Sequence, residues 1–313
     1  MSPADLGRAL IVILLWGLNF VVIKIGLDGL PPMLLGATRF TLAAIPAVFF
    51  IRRPKVPLRW LLAYGMTISF GQFAFLFSAM DNGMPAGLAS LALQSQAFFT
   101  LLLAAALIGE KVRAHNLIGL LVAAAGLLFI GLHSGTSMTL TGLALTLCAA
   151  LMWACGNIIT KRVGQVDLTA LVVWGSLVPP LPFFAMSLWL EGPERISQAL
   201  THISGSSIFA LIYLAFGATL LGYGLWSRLL SRYPAGQVAP FSMLVPVIGL
   251  SSAALLLGES LSALQLVGTA LVMGGLVINV FGGRLRRGSA QVLATASVSD
   301  SSQPMIRSAS ARD

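Results

Sequence analysis

Charge is what this sequence has least of: Asp, Glu, Lys and Arg make up 9% of its 313 residues, where soluble domains carry about 25%. A chain so poor in charge cannot cover itself in water, which excludes an ordinary soluble fold. Acids are scarcer still than bases, 10 against 19. None of them falls near the middle of a long apolar run, so the usual carrier of an intramembrane proton relay is missing. Only two cysteines occur. Cys148 and Cys155 sit on one predicted helix about 10 Å apart along its axis, too far for a bridge within it, and read as small packing residues. No Walker-type phosphate loop, His-Glu-x-x-His zinc motif or Gly-x-Ser-x-Gly elbow occurs. ATP-driven pumping and familiar hydrolytic chemistry are therefore unsupported, and neither a cofactor nor a metal is expected. His115, His133 and His202 all fall near loops and read as solvated side chains.

What is present is apolar. Hydrophobic residues make up 57% of the chain, and long runs of them recur from Leu6 to Phe281 between short polar breaks; each is near the roughly 20 residues that a bilayer-spanning helix needs. The expected fold is therefore an all-α integral membrane protein of ten transmembrane helices, at about 7–27, 33–51, 60–80, 85–108, 115–132, 140–160, 168–190, 207–229, 236–257 and 264–282. Arg8 followed by the run from Ala9 to Ile23 imitates a signal peptide, but no clear small-residue cleavage site follows, so it reads as a retained first helix. Ten spans put both termini on one side. If that side is cytoplasmic, the inside segments collect Arg8, then Arg52, Arg53, Lys55 and Arg59, then Lys111 and Arg113, then Lys161 and Arg162, then Arg228 and Arg232. The outside segments hold only Lys24 and Arg195, the asymmetry that orients membrane proteins. Bases scattered in this way account for the net charge of +9 without any nucleic-acid partner. After Arg284, Arg286 and Arg287, residues 288–313 are rich in serine and alanine and read as a disordered cytoplasmic tail.

The chain repeats itself. Trp16 and Lys24 are matched by Trp153 and Lys161 at equal spacing, with Asn19 and Asn157 between them. Pro85-Ala86-Gly87 recurs as Pro234-Ala235-Gly236. At that same offset Gly109-Glu110 falls on Gly258-Glu259, Leu117 on Leu266, Gly119 on Gly268 and Gly126 on Gly275. The halves, 5–133 and 139–283, each hold five spans, and an odd number makes the repeat inverted. Inverted repeats supply two faces of similar construction whose exchange opens a central site to one side and then the other. The competing reading is an old duplication kept only as scaffold.

Polar side chains within spans cost free energy and need a reason. Arg39 lies about 10 Å from the outer end of its helix. It suits a two-pronged bond to a substrate carboxylate, or else a structural partner such as helix-end carbonyls, Asp28 or Asp81. Trp16 and Trp153 lie about 12 Å deeper than the paired lysines, too deep for interfacial anchors, and line a cavity or pack helices. Asn19 and Asn157 sit one turn away and bind ligand or join helices. Gln94, Ser95 and Gln96 in the fourth helix face a different device in the ninth, where Pro240 and Pro246 free the carbonyls of Gly236 and Ser242. Amide side chains on one wall and backbone oxygens on the other suit a small zwitterion. Gln72 and Tyr223 complete the candidate set. Lys24 and Lys161 read as headgroup anchors, and Glu110 and Glu259 as helix-end residues.

WGLNFVVIKIGL at 16–27, MPAGLASLALQSQAFFTLLL at 84–103 and LVPVIGLSSAALLLGE at 244–259 resemble the EamA-type transporters of the drug/metabolite transporter superfamily, and the similarity covers both halves. Arg39 matches an arginine common in that family's second helix, and Gly109-Glu110 and Gly258-Glu259 match its repeated Gly-Glu signature. The resemblance implies a bacterial inner-membrane exporter of amino-acid metabolites such as cysteine and O-acetylserine, with membrane lipid around it and a monomer or homodimer as its state. The cargo would sit between the third, fourth, eighth and ninth helices. The rival readings are the same fold carrying an aromatic amino acid, a nucleobase or a drug, and a membrane enzyme or sensor that binds without transporting.

Overall fold

Backbone groups in an apolar medium must be paired within the chain, and helices pair them; the described residues accordingly form helices and no strand. The computed structural model describes residues 1–132 and 138–300, and the side chains of all of these except 235, 236, 239 and 283–300. His133 lies outside the described residues. The helices are α1 Pro3–Leu27, α2 Pro32–Val48, α3 Leu58–Asp81, α4 Ala86–Ile108, α5 Ala114–Leu132, α6 Leu140–Val163, α7 over 168–191, α8 Gly205–Arg232, α9 over 235–257 and α10 Ala263–Asp300. Among the described residues nine helical stretches are long and apolar enough to cross a membrane, and α2, with 17 residues, is shorter. Prolines 31 and 32 start α2, and Pro46, which has no amide hydrogen, lies two residues from its end. The span expected to reach residue 51 therefore stops at Val48.

One further expectation is corrected. The seventh span is not continuous: a turn over 176–179, which ends in Pro179 before Pro180 opens the next helical stretch, divides it. Gly192, at φ 80°, then ends it and opens a surface helix, Gly192–Thr201, in a segment expected to be loop. That helix rests Ile196 and Ala199 on the core and turns Glu194 and Arg195 outward. The backbone of α10 runs on beyond the tenth span to Asp300. Residues 288–300 contain three alanines and no proline, and extending an existing helix needs no new nucleus. Residues 301–313 of the expected tail lie outside the described residues.

The inverted relation of the halves is visible in their contacts. Helices α5 and α10 approach so closely that a Cβ on Gly119 would lie 2.6 Å from the Gly275 carbonyl oxygen, and one on Gly126 would lie 2.6 Å from that of Gly268. Exchanging the repeat mates Gly119 with Gly268 and Gly126 with Gly275 turns one contact into the other. A twofold pseudo-axis between the halves requires that exchange. The irregularities obey it too. The wide π turns of α3, Gly65–Gly71, are matched by Tyr213–Leu221 in α8, and α4 tightens over Leu93–Ser95 where α9 breaks at 243–244. At the chain ends of α4 and α9, Gly109 and Gly258 take the left-handed conformation (φ 75° and 67°) that ends a helix and that glycine adopts without strain.

Loop contacts sort the helix ends into two faces. Tyr233 donates to Asp5 (2.8 Å), Arg162 to the Leu107 carbonyl (3.0 Å) and Trp174 to the Ile51 carbonyl (2.9 Å), which gathers the segments bearing Arg52, Arg53, Lys111 and Arg113 on one face. On the opposite face Thr139 donates to the Asn82 carbonyl, and the carboxylates of Glu191 and Glu259 cap helix starts. Toward that second face lie the most completely buried side chains, among them Leu34, Leu35, Phe77, Met80, Met84, Leu88 and Phe183. The core therefore plugs the molecule there.

Candidate functional site

Between the plug and the basic face lies a cavity of about 330 Å³. Its walls include all ten residues singled out from the sequence: Trp16, Asn19, Arg39, Gln72, Gln94, Gln96, Trp153, Asn157, Tyr223 and Ser242. The expected position between the third, fourth, eighth and ninth helices is too narrow, because α1 and α6 supply both tryptophans and both asparagines. Towards the basic face the walls continue with Thr160, Leu168, Trp226, Ser227 and Leu230, so the cavity leads that way.

Arg39 is the one charged residue among the described lining residues, and it is 2% exposed. Its guanidinium lies over the ring of Phe73, 4.1 Å from the centroid, with Phe40 at 5.2 Å, a setting in which cation and ring quadrupole attract. One nitrogen, Nη2, donates to Thr219 Oγ1 at 3.1 Å, while Nε and Nη1 have no partner. Neither Asp28 nor Asp81, the structural partners considered from sequence, forms an ion pair with it. Two other buried atoms on the same walls are unpaired, Asn19 Oδ1 and Gln72 Oε1, and both are acceptors. Buried polar groups are nearly always satisfied, and orphaned donors beside orphaned acceptors mark a place where something else completes the set.

The remaining candidates divide. Asn157 donates to Gln96 Oε1 (2.9 Å) and to Thr100 Oγ1 (3.1 Å), tying α6 to α4, so this pair lines the cavity while already satisfying itself. Gln94 donates to the Ser242 carbonyl at 3.4 Å, where α4 and α9 cross. The carbonyl thought to be freed by Pro246 is thus engaged across the cavity. Trp16 donates to the Ala218 carbonyl at 3.1 Å and packs on Tyr223 and Trp226, with ring centroids 5.1 and 5.3 Å away. Thr219 and Trp226 escaped notice in the sequence. Thr219 is an isolated hydroxyl that becomes meaningful only opposite Arg39, and Trp226 resembles an interfacial aromatic. A weak signal existed for both in the glycines nearby, since Thr219 lies between Gly217 and Gly222 and Trp226 lies one turn after Gly222.

Comparison with known proteins gives this geometry a context. The model of the EamA-like transporter family matches residues 7–132 and 140–281. The chain is 54% identical over 293 residues to a "probable amino-acid metabolite efflux pump" of Salmonella typhimurium, covering 92% of this chain and 98% of that protein. A protein of the same name from Escherichia coli is 52% identical over the same coverage. A "probable terminal-alkyne amino-acid exporter" of Streptantibioticus cattleyicolor is 25% identical, over 86% of this chain and 90% of the relative. One crystal structure, at 22% identity and a TM-score of 0.61, covers 91% of this chain and 99% of its own, and supports the fold alone.

Proposed function

The chain belongs to the EamA-like transporter family, and from that premise we propose that it exports small amino-acid metabolites, of the class of cysteine and O-acetylserine, across a bacterial inner membrane by alternating access. The observation that carries the cargo class is the set of unpaired atoms. The unpaired N–H groups of Arg39 offer donors to a carboxylate, and the oxygens of Asn19 and Gln72 offer acceptors to an ammonium group, in a cavity of about 330 Å³. A nucleobase has no carboxylate for Arg39, and a cationic drug would be repelled by it. The tryptophans and Tyr223 add apolar wall for a short side chain. The basic face is the cytoplasmic one, by the rule that lysine and arginine stay inside, and both termini lie there. In this reading the described conformation is the loading state, open to the cytoplasm and plugged towards the outside.

The test is uptake of labelled cysteine and O-acetylserine into inverted membrane vesicles with and without the protein. Protein-dependent uptake of either is expected. No uptake of either, with the protein shown to be folded and inserted, would remove the assignment.

A further inference from the structure

Two acidic residues that the cargo site does not use occupy equivalent places in the two halves, yet they do different things. Glu259, just past the end of α9 on the plugged face, receives the first amides of α4: Ala86 N–H donates to Oε1 at 2.7 Å and Gly87 N–H to Oε2 at 2.9 Å. Those amides have no partner within their own helix, and a carboxylate at a helix start gains from both the hydrogen bonds and the dipole. The clasp joins α4 to α9 beside close packing of Gly249 on Ser90, where an added Cβ would lie 2.4 Å from the serine Oγ. The plugged face is therefore held shut at this point.

Glu110, the repeat mate of Glu259, stands just past the end of α4 on the open, basic face. The mate of the Ala86–Gly87 start is Ala235–Gly236, at the start of α9 on that same face. Here the clasp is undone: Glu110 is paired with Lys161 Nζ at 2.8 and 3.0 Å, in an ion pair whose side chains are 47% and 43% exposed. An ion pair so open to water is weak and easily exchanged. Lys161 has a mate as well. Lys24 lies on the plugged face at the end of α1, and among the described residues it is in no ion pair.

We infer that Glu110 and Glu259 are the two latches of the transport cycle, and that Lys161 and Lys24 hold whichever latch is open. When the basic face closes, Glu110 leaves Lys161 and takes the Ala235 and Gly236 amides, while Glu259 leaves Ala86 and Gly87 for Lys24. The inference rests on the alternating-access reading and explains why a Trp-Asn-Lys segment and a Gly-Glu pair are both repeated in a chain otherwise so poor in charge. The halves need the same switch, one on each face.

The test is a distance across the basic face, measured by pulsed electron paramagnetic resonance between nitroxides on Arg113→Cys and Gln237→Cys, in full-length protein carrying Cys148→Ser and Cys155→Ser and reconstituted in liposomes. Glu259→Gln weakens the closed latch, and the share of the short, basic-face-closed distance should rise by about tenfold, as expected for losing a charge-assisted pair. Adding Glu110→Gln should bring it back to the parent's level. The lysines give the sign that a merely structural ion pair would not: Lys161→Met should favour the short distance and Lys24→Met the long one. Equal shifts from both lysine variants, or a Glu259→Gln protein that never shows the short distance while the parent still exports cysteine, would overturn the latches alone. If vesicle uptake is absent too, the latch inference falls together with the transport reading.

Discussion

A guanidinium kept inside a membrane protein with Nε and Nη1 unpaired costs stability that its single bond to Thr219 and its aromatic neighbours only partly offset. Two expectations follow for Arg39. Arg39→Lys keeps the charge but loses the planar fork, and should lower vesicle uptake by about tenfold or more; uptake equal to the parent's would deny it the carboxylate. Arg39→Met should abolish uptake and yet raise the thermal midpoint of the detergent-solubilised protein, since an apolar side chain of similar length removes a buried charge with no counter-ion. Gln72 and Asn157 should also behave differently, although sequence alone reads both as candidate amides. Gln72→Met ought to raise the cargo concentration needed for half-maximal uptake. Asn157→Ala breaks bonds to Gln96 and Thr100, and should chiefly cost about 1 kcal/mol of stability, read as a lower thermal midpoint.

Among the elements, α5 and α10 form a pair held by backbone approach rather than by large side chains. Without a hydrophobic drive between helices in lipid, small residues are what allow such a contact. Gly126→Leu places its Cβ within 2.6 Å of a carbonyl that cannot retreat, and should destabilise the solubilised protein by about 1–3 kcal/mol or more, as overpacking does. Gly274, also on α10, has nothing within 4 Å of its would-be Cβ. Gly274→Ala should be neutral or slightly stabilising in the same thermal assay, because alanine restricts the unfolded helix more than glycine does. The π segments of α3 and α8 matter at this scale too. They shift the register of the side chains beyond them, and the second supplies both the carbonyl that receives Trp16 and the hydroxyl that receives Arg39. Wide turns of this kind are frequent at functional sites.

For the whole molecule, a plug on one face and a cavity leading to the other define a single accessible side. Ser227 lines the cavity near the basic face. In a background with Cys148→Ser and Cys155→Ser, a cysteine placed at Ser227 should react with a membrane-impermeant maleimide in inverted vesicles and be protected in intact cells. The reverse pattern would invert the proposed orientation. Cargo in excess should slow the labelling, since the site and the label share one path.

Sequence alone determined the solvent, the all-helical fold, the order of the helical runs, the sharing of one face by the basic loops and the inverted repeat. All of these follow from composition, periodicity and self-similarity, which are local or additive properties of the chain. It also picked out ten residues of the cavity wall, because a polar group or a deep tryptophan in an apolar run is conspicuous without any partner. Which of them are satisfied was decided only by the tertiary structure. Gln96 and Asn157 pair with each other across two helices while Arg39, Gln72 and Asn19 keep atoms free, and no spacing along the chain encodes that distinction. The same holds for Glu110 and Glu259, each after a glycine at matching places in the repeat and opposite in state. The repeat makes them equivalent, and only the packing of one conformation, tight on one face and open on the other, makes them differ.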